Sequence, residues 1–535
     1  MSRRSYNKRL AAGCGLGLML LFLSLVPSVG LSQVTRDDFI LCDTSADSIG
    51  SAVWPSVALD ELGQLSLLYL RQQVTESEAT LRLSFVSFDA SGVIKGSEVV
   101  VLPDTLAGDS VRWPTGPTPL SGNDSGRLFF PVHATYNDLD NVTVARGVDY
   151  FTSDAEKLRP EPIRAALIPM DGNHYRPHMA VGDINNRGLC ASAWVARQAE
   201  APYGAKLFVR LYDAAAGELR KFLVPSSLPP PLDRAGIALE RQPKGPPAIA
   251  VNDSGGFAAV WIGKAGGDAR VLFAVYDKTG RPRGPVRFAD SEETARVAVR
   301  TVNVAGEADG DFYLVWSGDR LGFPEHYCRT HLWMRGFDVN GLPKFDAIRV
   351  DDADSTNIVD VGVVYPSIAC DDSGNVLIAW SDARLHSNSH RSELRQDVFV
   401  QRFAPDGRRV GGNARVNNAC GLAGLRGTDT DCDLNNKGQA IIVWREFGRA
   451  NTIKAQLVPL SDIGRTIPGD LNCDMVVDRD DLTVLREYLL GRQPNTFWPR
   501  SQADCNGDGR VDISDLVYLS GLTRNTMLGS EVRGE

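Results

Sequence analysis

Two twelve-residue segments near the C-terminus, 470–481 and 504–515, repeat one arrangement of oxygen-bearing side chains. The first reads D-L-N-C-D-M-V-V-D-R-D-D and the second D-C-N-G-D-G-R-V-D-I-S-D, their starts 34 residues apart. Asp470, Asn472, Asp474, Asp478 and Asp481 stand at positions 1, 3, 5, 9 and 12 of the first, and Asp504, Asn506, Asp508, Asp512 and Asp515 repeat them in the second. At that spacing a twelve-residue loop wraps a calcium ion, a hard cation that takes about six to eight oxygens. The backbone carbonyls of Val476 and Arg510 complete the two sets, and Asp478 and Asp512 serve directly or through water. Val477 and Val511 are placed to pair the loops through a short backbone bridge. Each loop then enters an apolar pattern of helical period, Leu482, Leu485 and Leu489 after one, Leu516, Leu519 and Leu522 after the other.

Position 12 is Asp in both loops, where the common EF-hand has a bidentate Glu. No helical pattern precedes either loop: Thr466-Ile467-Pro468-Gly469 leads into one and Trp498-Pro499-Arg500-Ser501 into the other. A loop–helix duplicate opening on G-D-L-N and A-D-C-N, with its first helix ending in Y-L-L-G, resembles a type I dockerin over residues 467–525. The resemblance implies a small α-helical domain built on two Ca2+ ions that binds a cohesin-type protein module. It also implies that loop positions 10 and 11, Arg479-Asp480 and Ile513-Ser514, help choose the partner. Those pairs differ in chemistry, so two inequivalent binding faces are expected. Met475 stands where the loop turn favours glycine, and left-handed backbone costs a non-glycine residue about 1–2 kcal/mol. The second loop, which keeps Gly509, is therefore expected to bind Ca2+ more tightly.

Elsewhere, residues with chemical reach are scattered. His174 and His178 are four apart, but Pro177 between them argues for a loop rather than a metal-binding helix. His326 with His331 and His386 with His390 fall in long insertions. Trp380-Ser381-Asp382-Ala383-Arg384, and nearly Trp316-Ser317-Gly318-Asp319-Arg320, place an Asp–Arg pair after a strand, which reads as a loop brace. The S-x-D-x-G-x-x-W box of sialidases is absent. No catalytic residue is identifiable.

The elements that must carry these residues repeat with a period of about sixty. An apolar alternation, an Asx-rich turn with glycine and a strand ending in an aromatic recur around Gly63, Gly126, Gly188, Gly255, Gly310, Gly374 and Gly438, with spacings of 63, 62, 67, 55, 64 and 64 residues. A second hairpin signal lies between most of them, at Gly92, Gly217, Gly280, Gly341 and Gly407. Two hairpins per repeat predict four strands, and four-stranded units repeated radially make a β-propeller. The expectation is an all-β, seven-bladed β-propeller over residues 33–466, followed by the small α-helical domain over 467–525 and a tail, 526–535. Tyr69, Trp194, Trp261, Trp316, Trp380 and Trp444 are expected between the sheets, and the segment from Asp37 to Leu41 is expected to supply the last blade's missing strand. An open stack of sandwich domains is the alternative.

Arg3, Arg4, Lys8 and Arg9 precede an apolar run from Leu16 to Val26 and small residues at Ser28-Val29-Gly30, the order of a secretory signal peptide over 1–32. The run is shorter than the roughly twenty residues a membrane span needs. Secretion, with the mature chain extracellular or cell-surface associated and not inserted in a membrane, is expected. The formal net charge of −9 becomes more acidic once that leader is removed, which argues against nucleic acid as a partner. Cys42, Cys190, Cys328, Cys370, Cys420, Cys432, Cys473 and Cys505 remain, and eight cysteines allow 105 pairings. The reading of function is a propeller that binds protein or glycan, tethered by the C-terminal domain to a cohesin. The alternative is a glycoside hydrolase in polysaccharide catabolism, delivered the same way.

Overall fold

The computed structural model describes strands and turns between residues 39 and 463 and, in the C-terminal segment, residues 468–471, 477–492, 503–508 and 510–531. Residues 1–38, 225–246, 321–329, 383–395 and 418–429 are among those left out, so the leader lies outside the described residues.

The described chain is mostly β. Seven antiparallel sheets follow one another, most of them four-stranded meanders in chain order. The first holds Gly50–Leu59, Leu65–Val74, Ala79–Phe88 and Val99–Val100. The second sheet departs from the expected four strands: its inner strand is only Ser121–Gly122, and Asp109–Arg112 and Thr105–Leu106 add to the same sheet. Successive inner strands touch one another around a circle, and the last, Thr430–Leu434, lies against Gly50–Leu59 of the first. The sheets thus form a propeller-like ring, and the stacked-sandwich alternative does not apply. The ring closes within the seventh sheet, where Phe39–Cys42 pairs antiparallel with Thr452–Pro459. The sequence places that strand at Asp37–Leu41; Asp37 and Asp38 lie outside the described residues, and the described strand runs one residue further, to Cys42.

Glycine sets the turns for a backbone reason. Every repeat-marking glycine from Gly63 to Gly438 has a positive φ, as do Gly92, Gly280, Gly341 and Gly407 of the second hairpin. Gly217 lies outside the described residues. At Gly374 a Cβ would stand 2.9 Å from Tyr313 Oη and 3.0 Å from Glu307 Oε2, so conformation and space both require glycine.

The core consists of separate apolar clusters, each shared by two consecutive sheets. One joins Ile249, Phe257 and Trp261 to Leu207, Val209 and Leu211; another joins Leu377 and Val400 to Ile442 and Trp444. The aromatics expected between sheets are there: Tyr69, Trp194, Trp261, Trp316, Trp380 and Trp444 are all at most 2 % exposed. Cys370 and Cys432 are free thiols within the sheets. The C-terminal segment contributes two helices, α1 (Arg479–Leu489) and α2 (Ile513–Glu531), packed on each other through Leu485 and Leu519. Leu522, expected on the buried stripe, is 38 % exposed. Helix α2 also runs past residue 525, where the sequence reading ends the domain. No described helix is long and apolar enough to cross a membrane.

Truncating one inter-sheet aromatic leaves a large cavity. Trp380→Ala should lower the unfolding free energy by about 3–5 kcal/mol in urea titrations. A loss under about 1 kcal/mol would contradict the packing role.

Candidate functional sites

The acidic loops flank the starts of α1 and α2. Of the first, Asn472, Asp474, Met475 and Val476 lie outside the described residues. The rest is tightly bonded. Asp478 is the N-cap of α1, its side chain accepting from Asp480 N–H at 2.8 Å. Asp481, fully buried, accepts from Leu471 N–H at 2.6 Å and Asp478 N–H at 2.8 Å. Asp470 is buried beside it in the loop.

The second loop shows the same local logic in more detail. Asp508 N–H donates to both Asp504 Oδ1 and Asn506 Oδ1 at 2.9 Å, and Arg510 N–H donates to Asp508 Oδ1 at 2.9 Å. Asp515, also fully buried, accepts from Asn506 N–H at 3.2 Å and Asp512 N–H at 2.9 Å. These are Asx turns, in which short polar side chains hold the backbone in a curl. Ser514 donates its N–H and hydroxyl to Asp512 Oδ1, which holds that carboxyl below its usual range. Gly509 lies outside the described residues. Between the loops, burial and then the carboxylates of Asp515, Asp481 and Asp504 push the Cys505 thiol up to about 11. An all-oxygen, acidic donor set of this kind suits a hard divalent cation. Arg479, Asp480, Ile513 and Ser514 are exposed on the first turns of the helices. An apolar stripe continues only from the second pair: Ile513, Val517, Tyr518 and Leu522 are 66, 69, 49 and 38 % exposed. The matching face of α1 carries Arg479, Asp480 and Thr483.

The second site is a cavity of about 300 Å³ on the axis of the ring. Its walls are inner strands, and its far end is a circle of turns. The side chains that open five of the turns, Asp60, Asn123, Asn185, Asp371 and Asn435, accept from N–H groups of their own turn, and three of the amides reach the next turn. Asn123 Nδ2 donates to Asn185 O at 3.0 Å, Asn185 Nδ2 to Asn252 O at 2.7 Å, and Asn435 Nδ2 to Asp60 O at 3.1 Å. The following residues add a second circle: Asp124 N–H to Asn186 Oδ1, Asn186 N–H to Asp253 Oδ1, Asp372 N–H to Asn436 Oδ1 and Asn436 N–H to Glu61 Oε1. Asn436 Nδ2 also bridges Asp124 and Asp372. Burial, then repulsion from Asp372, Glu61 and Asp253, pushes Asp124 up to about 6.

Deeper in the cavity three half-buried carboxylates tie sheets together. Asp183 accepts from Ser121 Oγ and, at 2.7 Å, from Val251 N–H. Asp431 accepts from Ser56 Oγ at 2.7 Å, Val57 N–H at 3.0 Å and Ser367 Oγ at 2.5 Å. Asp433 accepts from Leu59 N–H at 2.8 Å and from Leu434 N–H at 2.9 Å. Burial raises all three above the ordinary carboxylate range, Asp433 to about 8, against the opposing pull of these bonds. The sequence reading missed them. Their signal is positional: Asp183 and Asp433 lie two residues before a turn-opening Asn, and Asp431 four.

His178 lies in the strand Tyr175–Ile184, where a loop was expected, and His174, His326, His386 and His390 lie outside the described residues. His331 opens the strand Thr330–Phe337, its Nδ1 3.1 Å from Asp351 Oδ2. Burial opposes ionisation of Asp351, but the bonds from His331 and Arg349 outweigh it and hold the group well below the usual carboxylate range. Asp382 accepts from Trp380 Nε1 at 3.3 Å, while its sequence neighbour Arg384 lies outside the described residues. Glu307, Asp309 and Asp311 cluster on one turn, and Lys344 bonds Asp311 and lies 4.0 Å from Glu307.

A buried carboxylate with a raised pKa binds a proton in the folded state that the unfolded chain releases. Its contribution is complete below about pH 4 and is lost as pH rises through the folded value. For Asp433 that window ends near pH 8. Wild type should therefore lose up to about 1.4 kcal/mol per pH unit relative to Asp433→Asn on the way there. Urea titrations from pH 5 to 9 showing parallel profiles would contradict this.

Residues 468–521 match the Dockerin type I domain family. No curated protein is similar to the chain in sequence. Among solved structures, an α-L-arabinanase of Penicillium chrysogenum in complex with arabinobiose is 10 % identical, covering 80 % of this chain and 99 % of its own, with a TM-score of 0.43. A polysaccharide lyase family 25 ulvan lyase is 8 % identical over 79 % of this chain and 96 % of its own, at 0.42. A protein of unknown function from Dyadobacter fermentans is 10 % identical over 79 and 97 %, at 0.40. The C-terminal segment is a type I dockerin domain, carried behind a β-propeller-like region.

Proposed function

We propose that this is a secreted, extracellular or cell-surface protein in which a closed seven-bladed β-propeller binds a glycan or protein ligand. In this reading its dockerin tethers it to a cohesin-bearing partner. The observation that carries the reading is the dockerin domain at 468–521, because a dockerin implies a cohesin. Each loop takes one Ca2+, held by Asp470, Asn472, Asp474, Val476 O, Asp478 and Asp481, and by Asp504, Asn506, Asp508, Arg510 O, Asp512 and Asp515. The ion fixes the first turn of each helix and so presents the docking faces. Those faces differ: the α2 stripe of Ile513 and Val517 is apolar, and the α1 face of Arg479 and Asp480 is charged. One orientation of docking, through α2, follows from burying the apolar side. A binding role suits the axial carboxylates better than hydrolysis does, because Asp183, Asp431 and Asp433 are engaged as braces between sheets.

Immobilised cohesins offered the full chain test the tether. Binding should require Ca2+ and be lost in chelator. Ile513→Asp with Val517→Asp should weaken it at least tenfold, whereas Arg479→Ala with Asp480→Ala should leave it within about threefold. Equal losses from the two pairs would refute one-sided docking, and calcium-independent binding would refute the tether. Calorimetry should resolve two unequal Ca2+ sites, the loop with Met475 weaker; two equal tight sites would contradict the strain argument.

A further inference from the structure

We infer that the axial cavity receives an uncharged sugar unit and rejects uronic and sialic acids. This deepens the glycan-binding reading and rests on it. Among the described residues the cavity's lining includes six carboxylates, Asp124, Asp183, Asp253, Asp372, Asp431 and Asp433, and no Lys, Arg or His. A carboxylated sugar entering it would meet acidic groups with no cation among the described lining residues to pair with: those that are ionised repel it, and the burial that raises Asp124 and Asp433 disfavours its own charged form too. An uncharged sugar meets no such repulsion. Its hydroxyls can donate to lining carboxylates, which are acceptors when ionised, while the wall hydroxyls of Ser56, Ser367, Thr301 and Thr430 are already bonded within the protein.

Entry is set by the architecture. The turn end is laced by the two circles of inter-sheet hydrogen bonds through Asn435 and Asn436, which leaves the end where the inner strands start. There Tyr365, half-buried, contributes an aromatic ring to the wall, immediately before Pro366 of the sixth sheet. Trp54 holds the corresponding place before Pro55 in the first sheet. It is half-exposed and has a φ of 54°, a left-handed conformation that is costly for a bulky residue. A volume near 300 Å³ stands at the small end of ligand pockets and suits a single sugar unit or chain end rather than an internal stretch of polymer.

The test presents the full chain, with Ca2+, to immobilised trisaccharides. One set ends in arabinose, xylose, galactose, glucose or mannose, the other in glucuronate, galacturonate or sialate. Binding should be confined to the uncharged set. Tyr365→Ala should weaken it at least tenfold and Tyr365→Phe should retain it, with unchanged thermal melting as the folding control. Binding of an acidic sugar by wild type would overturn the inference. Undiminished binding of an uncharged sugar by a folded Tyr365→Ala variant would overturn the site and leave the glycan-binding reading standing. Silence from both sets would overturn the two together while leaving cohesin binding unaffected.

Discussion

The ring depends on one small interaction, the side chain that opens each inner turn. Asn185 shows it fully. Its Oδ1 accepts from Arg187 N–H and Leu189 N–H, closing its own turn, and its Nδ2 donates to Asn252 O of the next. One amide thereby fixes a turn and its distance from the neighbouring sheet. Where the opening residue is an acid, as at Asp60 or Asp371, it still closes its own turn, but a carboxylate has no N–H to offer onward. From the Asp60 turn the onward link is a backbone one instead, Glu61 N–H to Asp124 O at 3.4 Å. Apolar burial between sheets stabilises the ring more than these bonds do, but it is non-directional. The amides give the sheets their register.

Packing seven inner strands around one axis explains the rest of the interior. The strands approach closely there, so their residues are small: a Cβ on Gly182 would come within 2.5 Å of Phe129, and one on Gly122 within 2.7 Å of Ala58. Small side chains leave backbone N–H groups facing the axis, away from the ladder of their own sheet. Asp431 and Asp433 answer two of these, Val57 N–H and Leu59 N–H, across the junction of the last sheet and the first. Burying a carboxylate is costly, and leaving the N–H groups unpaired would cost about 1–3 kcal/mol each. The acidic interior is thus a consequence of ring closure that also determines which ligands the cavity tolerates.

How much of this the sequence discloses follows the range of each interaction. Turn glycines and alternating strands are local, and the positive φ at Gly255 or Gly374 follows from a four-residue pattern. The aromatics from Tyr69 to Trp444 are legible because each recurs at nearly the same place in its repeat, although it stands in mid-strand and not at the strand's end, as in Leu65–Val74 and Phe257–Ala265. The extra strands of the second sheet are not legible, since its inner strand shrinks to two residues and nearby chain supplies the edge. Nor are the axial braces: Asp431 meets Ser56 across 375 residues, and nothing local separates it from a solvated Asp. In the dockerin every donor of a loop lies within twelve residues, so its chemistry is readable directly. The exposure of Leu522 is not, because only the crossing of α2 over α1 decides which leucines are covered.

The two regions bury carboxylates by different means, and the difference bears on their independence. Asp431 is satisfied by three donors from neighbouring sheets, so it is complete when the ring is complete. Asp515 is more deeply buried but accepts two N–H bonds from its own loop, while a carboxylate offers about four acceptor sites. Its remaining capacity belongs in a loop that also holds Asp504, Asn506 and Asp508. In the proposed reading a cation takes up those lone pairs, and ion binding is then part of the folding free energy of the small domain. The apolar core around Leu485 and Leu519 is too small to outweigh the repulsion of loops this acidic. In the proposed reading Ca2+ thus sets whether α2 presents Ile513 and Val517, whereas the axial acids of the ring are answered by its own backbone and hydroxyls.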